Sequence, residues 1–287
     1  MTKSGYLATS ADATRVRSGD VDLFCRTFGK RGATPLLIMH GANYFDSFDW
    51  IDVAAALSAD REVVAFDQRG FGESGWSPSK NYSVDALMGD ISAVIDHFGW
   101  SRPIVMGHSA SGRLAVSFAS NFPSYLSQLV IVDSSFAHEG GGGRGPSVGN
   151  PPVMFASVDA AMSRFAKLSN PPRIASDRAR AEQALVQTPD GWQLKRDPDY
   201  QNAAPINGDA SVRPRRELDV WEELGKVRCP TLIVRGVKSD RFTDDIIVRI
   251  RSARPDFIWA DANSQHDVAF GAPQDLVAAV QHFIVAD

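Results

Sequence analysis

Short apolar runs punctuate this chain, each too brief for a helix and none alternating with polar residues. They are Pro35 to His40 (P-L-L-I-M-H), Glu62 to Phe66 (E-V-V-A-F), Ile104 to Met106, Gln128 to Asp133 (Q-L-V-I-V-D) and Thr231 to Arg235 (T-L-I-V-R). Alternation would mark a strand with one wet face; its absence predicts strands covered on both. Helical patterns lie between the runs. Ser47 to Ala59 is helix-like, and Ser83 caps an amphipathic helix whose stripe is Val84, Leu87, Met88, Ile91, Val94, Ile95 and Phe98, with Gly99 as its stop. Thr243 to Ile250 and Pro273 to Val285 read as helices too, with a strand at Asp256 to Ala260 between them. Near the start, Thr14 to Ser18 and Val21 to Phe28 flank a Gly-Asp turn, a hairpin signal. Strands and helices in alternation, joined by right-handed crossovers, predict an α/β fold on a mostly parallel sheet.

The alternation stops from about Phe136 to Arg216, where a glycine run (Gly140 to Gly143), scattered prolines and helical stretches at Val158 to Leu168 and Ala175 to Val186 carry no buried-strand signal. The division is therefore a core formed by 1–135 and 217–287, with 136–216 a mostly helical insertion. An insertion that follows a central strand lands above the carboxyl ends of the sheet, where open α/β folds bind ligands.

One junction carries chemistry. The run Ile104, Val105, Met106 passes without a polar loop into Gly107-His108-Ser109-Ala110-Ser111-Gly112, and Leu114, Ala115, Phe118 and Ala119 then recur at helical spacing. Strand, sharp turn and helix place a serine at the apex, with small neighbours where the two backbones nearly touch. The first peptide N–H groups of the helix face the same spot and can hold an oxyanion.

A serine hydroxyl needs a histidine within hydrogen-bond reach to become a nucleophile, and the histidine needs an acceptor to fix its tautomer. Of the six histidines, His40 and His108 end strands and read as scaffold hydrogen-bonders. His97 and His282 lie on helices, and His138 opens the insertion. His266, in N-S-Q-H-D between the last strand and the last helix, is the candidate base. For the acid, Asp240 in R-G-V-K-S-D-R-F lies on the same edge, beyond the strand ending at Arg235. Asp133 competes with it, as do Asp244, Asp261 and Asp267.

Composition narrows the function classes. A formal charge of -4 over 287 residues with no basic stripe argues against nucleic acid as a partner and favours a small-molecule substrate. Two cysteines, Cys25 and Cys229, are too few for a disulfide framework or a zinc cluster and read as buried thiols in a reducing compartment. No signal-peptide pattern and no run of eighteen apolar residues is found, so the expectation is a cytoplasmic protein with no membrane partner. A homodimer is the one protein contact left open.

With His40-Gly41 after one strand, Asp67-Gln68-Arg69-Gly70-Phe71-Gly72-Glu73-Ser74 after the next, Gly107-His108-Ser109-Ala110-Ser111, Cys229-Pro230-Thr231, Ser239-Asp240 and His266 in this order, the chain resembles the α/β-hydrolase superfamily over nearly its full length outside the insertion. The resemblance implies an eight-stranded, mostly parallel sheet flanked by helices, and a helical cap over residues 136–216. The serine, acid, histidine order of that family's triads selects Asp240 as the acid, with Asp133 the main alternative. An oxyanion hole at the N–H groups of Ala42 and Ala110 is likewise implied. Asn43 and Tyr44 beside the oxyanion loop, with Phe136, Met154 and Trp192 of the cap, are the candidate substrate-binding residues, although apolar side chains of this kind commonly just pack a cap onto its core. Asp67 and Arg69 read as ties within their loop. Ser111 replaces the glycine usual at its position, as in the ligand-sensing members similar to strigolactone receptors. A serine in place of an aspartate speaks against epoxide hydrolases and haloalkane dehalogenases. The expected function is hydrolysis of a carboxylic ester or lactone of a bulky hydrophobic or aromatic substrate, with no metal and no cofactor required. The alternatives are C–C bond hydrolysis of a vinylogous diketone, cofactor-free oxygenation, and a slow-turnover small-molecule receptor.

Overall fold

The structure, a computed structural model, describes residues 12–41, 46–134, 136, 154–201 and 219–285. Its centre is an eight-stranded sheet. The strands in chain order are β1 (Asp12–Ser18), β2 (Val21–Phe28), β3 (Ala33–Met39), β4 (Arg61–Phe66), β5 (Ile104–His108) and β6 (Gln128–Val132), then β9 (Thr231–Gly236) and β10 (Ile258–Ala262), with β7 (Leu185–Thr188) and β8 (Gly191–Leu194) forming a separate hairpin. In space the sheet runs β1-β2-β4-β3-β5-β6-β9-β10. β2 pairs antiparallel with β1 and with β4, and all other neighbours are parallel.

The unalternating runs have the expected cause. Leu37, Met39, Val105, Leu129 and Ile131 point into one core, with α2 (Val84–His97), α3 (Ala110–Asn121), α6 (Val220–Lys226) and α7 (Asp244–Ala253). Their strand neighbours Leu36, Ile38, Ile104, Met106, Val130 and Val132 point into the other, with α1 (Ile51–Leu57), α8 (Val268–Gly271) and α9 (Pro273–Val285). Both faces are dry, so neither tolerates a polar position.

The segment 154–201 contains α4 (Val158–Phe165), α5 (Arg178–Ala184) and the β7–β8 hairpin, gathered on a small apolar cluster of its own around Phe155, Phe165 and Ile174. The hairpin departs from the sequence reading, which runs helix through Val186. Helix α5 stops at Ala184, and Thr188-Pro189-Asp190-Gly191 turns the chain, Gly191 taking φ +130°. The segment is anchored on the loop after β4: Gly72 N–H donates to the Lys195 carbonyl at 2.8 Å, and Asp197 N–H to that of Gly70 at 2.8 Å. The helix read from Ser47 begins as a 3₁₀ turn at Ser47–Trp50, and the strand read at 256–260 lies at 258–262. No helix among the described residues is long and apolar enough to cross a membrane.

The sheet grows in one direction from β3 to β4 and in the other from β3 to β5, so the chain order reverses between β3 and β5. A crevice opens at the carboxyl ends of such a pair.

Candidate active site

Ser109 stands at that reversal. It leaves β5 with φ 56° and ψ −121°, a left-handed backbone forced on a non-glycine residue, and α3 begins at once with Ala110. The tightness of the turn explains its glycines: a Cβ on Gly107 would lie 2.4 Å from the Ser111 carbonyl oxygen, and one on Gly112 would lie 2.6 Å from Ser134 Cβ. Ala110 is the first residue of α3, so its N–H has no acceptor within the helix and faces the serine end.

Sheet register decides what sits beside the serine. His108 is paired with Val132, and Val132 with Val234, so the residues just past these strand ends form a row. Ser109 N–H donates to the Val132 carbonyl at 3.0 Å and Asp133 N–H to that of Val234 at 2.8 Å. Asp133 follows β6 directly and bends out of the sheet with φ 42°. Its Oδ1 accepts the Gly236 N–H at 2.9 Å; its Oδ2 accepts the Ser239 hydroxyl at 2.6 Å and the Nδ1–H of His266 at 2.7 Å. With its proton on Nδ1, His266 turns the Nε2 lone pair to the Ser109 hydroxyl, 3.0 Å away.

The structure brings Asp133, and not the expected acid Asp240, to His266. Ser239 folds back on the end of β9, and Asp240 then points outward, 56% exposed and, among the described residues, paired only with its neighbour Arg241 at 3.3 Å, whereas the Asp133 side chain is 0% exposed. The end of β9 contributes the Gly236 N–H, and the residues just past it the Ser239 hydroxyl, to the Asp133 carboxylate.

The two strand-end histidines are scaffold, as read. His108 Nε2–H donates to the His266 carbonyl at 2.8 Å, with the rings 4.8 Å apart. Burial, and then the neighbouring His266, hold its imidazole well below the usual range and so neutral. His40 Nε2 accepts the Gln68 N–H at 2.9 Å and its Nδ1–H donates to the Gly41 carbonyl at 2.7 Å. The Ser111 hydroxyl donates to the His40 carbonyl at 2.6 Å, and Gln68 Nε2–H to both oxygens, at 2.7 and 2.8 Å. This use of a serine hydroxyl gives the departure from glycine at 111 a physical reason: it ties the elbow to the end of β3. Asp67 and Arg69 tie their loop, Asp67 accepting the Ser47 and Glu73 N–H groups and Arg69 gripping Asp90 at 2.6 and 2.7 Å.

A buried cluster of charges joins the segment 154–201 to this edge. Arg180 of α5 is 0% exposed and grips Asp49 by Nε and Nη2 at 2.5 and 2.8 Å and Asp46 by Nη2 at 3.0 Å. Burial pulls its guanidinium down, but Asp46 and Asp49 more than offset this and hold it above its usual range. The carboxylates outnumber the cations here. Burial, and then Asp46, push Asp67 up to about 6. Burial, and then Asp49, push Asp267, the residue after His266, up to about 7. The sequence reading named Asp67 only as a loop tie and Asp267 only as a competing acid, and it did not single out Asp46, Asp49 or Arg180. One of the two arginines in R-A-R-A-E-Q, Arg180 carries no mark of burial that its neighbour Arg178 lacks.

Of the expected substrate-binding residues, Phe136 is buried in the main core against Trp221 and Phe242. Met154 is 38% exposed, and Trp192 is half-buried on the cluster of the 154–201 segment. Ala42, Asn43 and Tyr44 lie outside the described residues, as do His138 and the Gly140 to Gly143 run. Among the described residues no group of His, Cys, Asp or Glu side chains is arranged to hold a metal ion.

Comparison with known proteins identifies the fold. The chain is 31% identical to Epoxide hydrolase 4 of Mus musculus over 107 residues, 37% of this chain, and so spans only 29% of that protein's length. It is 26% identical to Lipase LipV of Mycobacterium tuberculosis across 91% of this chain and 97% of that protein. The solved structure of E-2-(acetamidomethylene)succinate hydrolase superposes with a TM-score of 0.76 at 23% identity, over 95% of this chain and 98% of that one, a likeness of fold. Residues 34–273 match the family described as alpha/beta hydrolase fold, and with that match covering most of its length the chain belongs to the α/β-hydrolase family.

Proposed function

We propose that this α/β-hydrolase is a serine hydrolase that cleaves carboxylic esters or lactones through an acyl-enzyme, with Ser109 as nucleophile, His266 as base and Asp133 as the acid. The hydrogen-bond chain Ser109 Oγ, His266 Nε2, His266 Nδ1, Asp133 Oδ2, at 3.0 and 2.7 Å, carries the reading. As Ser109 attacks the substrate carbonyl, its proton passes to Nε2, and the imidazolium that forms faces a carboxylate already fixed by two further donors. The Ala110 N–H, aligned with the start of α3, receives the developing oxyanion, and the N–H of Ala42 is assigned as its second donor. His266 returns the proton to the leaving alcohol, then activates a water to release the acid.

A serine at the elbow favours acyl transfer over epoxide opening, in which an alkyl-enzyme ester needs a carboxylate nucleophile. The likeness to a lipase over nearly the whole chain supports the same choice. Residues 136–216 serve as the cap, and its apolar content, Met154 and Trp192 included, supports a bulky hydrophobic or aromatic acyl or alcohol group. The test is turnover of p-nitrophenyl esters and aryl lactones, followed by mass spectrometry of the protein trapped during the reaction. Many turnovers per chain and an acyl adduct on Ser109, both absent in Ser109→Ala, are expected. A single turnover would point to a receptor, and unchanged activity in Ser109→Ala would end the proposal.

A further inference from the structure

The backbone of His266 is clamped from two sides. His108 Nε2–H holds its carbonyl at 2.8 Å from the core, and its own N–H donates to Asn170 Oδ1 at 3.3 Å, a side chain of the inserted segment. The next residue is held from the same segment, Arg173 N–H donating to Asp267 Oδ2 at 3.3 Å. The Arg173 guanidinium lies 5.0 Å over the ring of Phe270 in α8, the helix that follows the histidine, and pairs with Asp177 at 3.2 Å. One turn further along, Arg180 plants the segment on Asp46 and Asp49, and Asp49 belongs to the 3₁₀ turn whose Trp50 packs 5.7 Å from the ring of His108. The clamp on the His266 N–H thus comes from one stretch of chain, residues 170–180, and the clamp on its carbonyl from the end of β5.

We propose that residues 170–180 brace the catalytic base: Asn170 is a positioning residue that acts through the His266 backbone, and Arg180 seats the brace on the core. This rests on the reading of Ser109, His266 and Asp133 as a triad. The imidazole has both ring nitrogens engaged within the triad, and the direction from which it reaches Ser109 depends on the backbone that carries it. Misplacement of a reacting group by about 1 Å costs on the order of a hundredfold in rate. Loss of the Asn170 acceptor releases one of the two clamps, and the deficit falls on proton transfer, which substrate affinity does not report.

Asn170 is only partly buried, which makes its replacement mild for the fold. The variants are Asn170→Leu, which keeps the size and removes the acceptor, and Asn170→Asp, which keeps the acceptor oxygen. The readouts are kcat and KM for a p-nitrophenyl ester, the rate at which a fluorophosphonate labels Ser109, and Tm. Asn170→Leu is expected to lower kcat and the labelling rate together, by about tenfold to a hundredfold, with KM and Tm little moved, and Asn170→Asp to recover most of both rates. Arg180→Met should slow labelling as well. If it does not fold, the Asn170 pair still decides. Wild-type labelling in Asn170→Leu overturns the brace, and so does a loss that Asn170→Asp shares in full or one that appears only in KM or Tm. Ser109→Ala separates the two levels: labelling and turnover that survive in it defeat the triad reading itself, whereas their loss, with Asn170→Leu intact, defeats the brace alone.

Discussion

Asp133→Asn and Asp240→Asn differ by a single atom each from the native chain, and the structure predicts opposite fates. An asparagine at 133 must direct one amide oxygen and one NH₂ at partners that all now donate. The Gly236 N–H is fixed by the backbone and accepts no substitute, so the amide oxygen turns to it at the former Oδ1 position. The NH₂ group then faces Ser239 and His266. The serine hydroxyl rotates to accept; the imidazole accepts only by moving its own proton to Nε2. That is the tautomer that cannot take a proton from Ser109. Loss of the correct tautomer in a serine triad costs about 10⁴ in kcat, or about 5.5 kcal/mol of transition-state stabilisation. Asp240, 56% exposed and paired with Arg241, takes no part in this chain of bonds, and its replacement should leave kcat within about twofold. Initial rates on a p-nitrophenyl ester, with circular dichroism to confirm folding, decide the matter. Activity in Asp133→Asn within tenfold of wild type, or a hundredfold loss in Asp240→Asn, would refute the assignment.

Ser111→Ala removes a buried hydroxyl that donates to the His40 carbonyl and accepts from Gln68, while Gln68 keeps its own bond to that carbonyl. Urea denaturation should show a loss of about 1–3 kcal/mol. Because Asp267 is raised to about 7, above its value in the unfolded chain, it stabilises the fold fully only in acid, and this contribution is lost as the pH rises through about 7. Unfolding free energies from urea denaturation at pH 4 to 8 should therefore fall in wild type relative to Asp267→Asn by up to about 1.4 kcal/mol per pH unit below pH 7 and run parallel above it; parallel curves throughout would exclude the cluster as a titrating unit. Cys25 is buried, and burial pushes its thiol up to about 12, so native protein at pH 8 should leave it unlabelled by iodoacetamide until urea opens the sheet. Peptide mapping of the alkylated protein reads this directly.

The elements of the core were legible because each buried strand is flanked by both cores, and two dry faces leave an unmistakable run such as Leu36 to Met39. The turn that carries Ser109 was legible for a related reason: a strand that passes straight into a helix around small residues leaves few geometries. The carboxylate that meets His266 was not. Asp133 and Asp240 both lie between residues 109 and 266, so chain order could not separate them, and what separates them is lateral register, His108 opposite Val132, which a single sequence does not display. A clue was present in that Asp133 directly ends its strand, whereas Asp240 stands four residues beyond Gly236 in a turn free to face water. The β7–β8 hairpin had its signal in Pro189-Asp190-Gly191, which the helical reading through Val186 passed over. Nothing in residues 170–180 announced contact with His266, because that contact exists only once the insertion has docked.

Two of the non-glycine residues with positive φ among those described are Ser109 and Asp133, at 56° and 42°. At Ser109 a glycine would relieve backbone strain of about 1–2 kcal/mol and simultaneously delete the proposed nucleophile, whereas at Asp133 it would strand the buried Gly236 N–H and Ser239 hydroxyl and cost more than it relieves. Directed evolution that sorts variants only by survival of heating will therefore enrich, at codon 109, proteins that the proposed mechanism makes inert. A thermostabilisation campaign on this scaffold has to couple every heat challenge to a measurement of product formed.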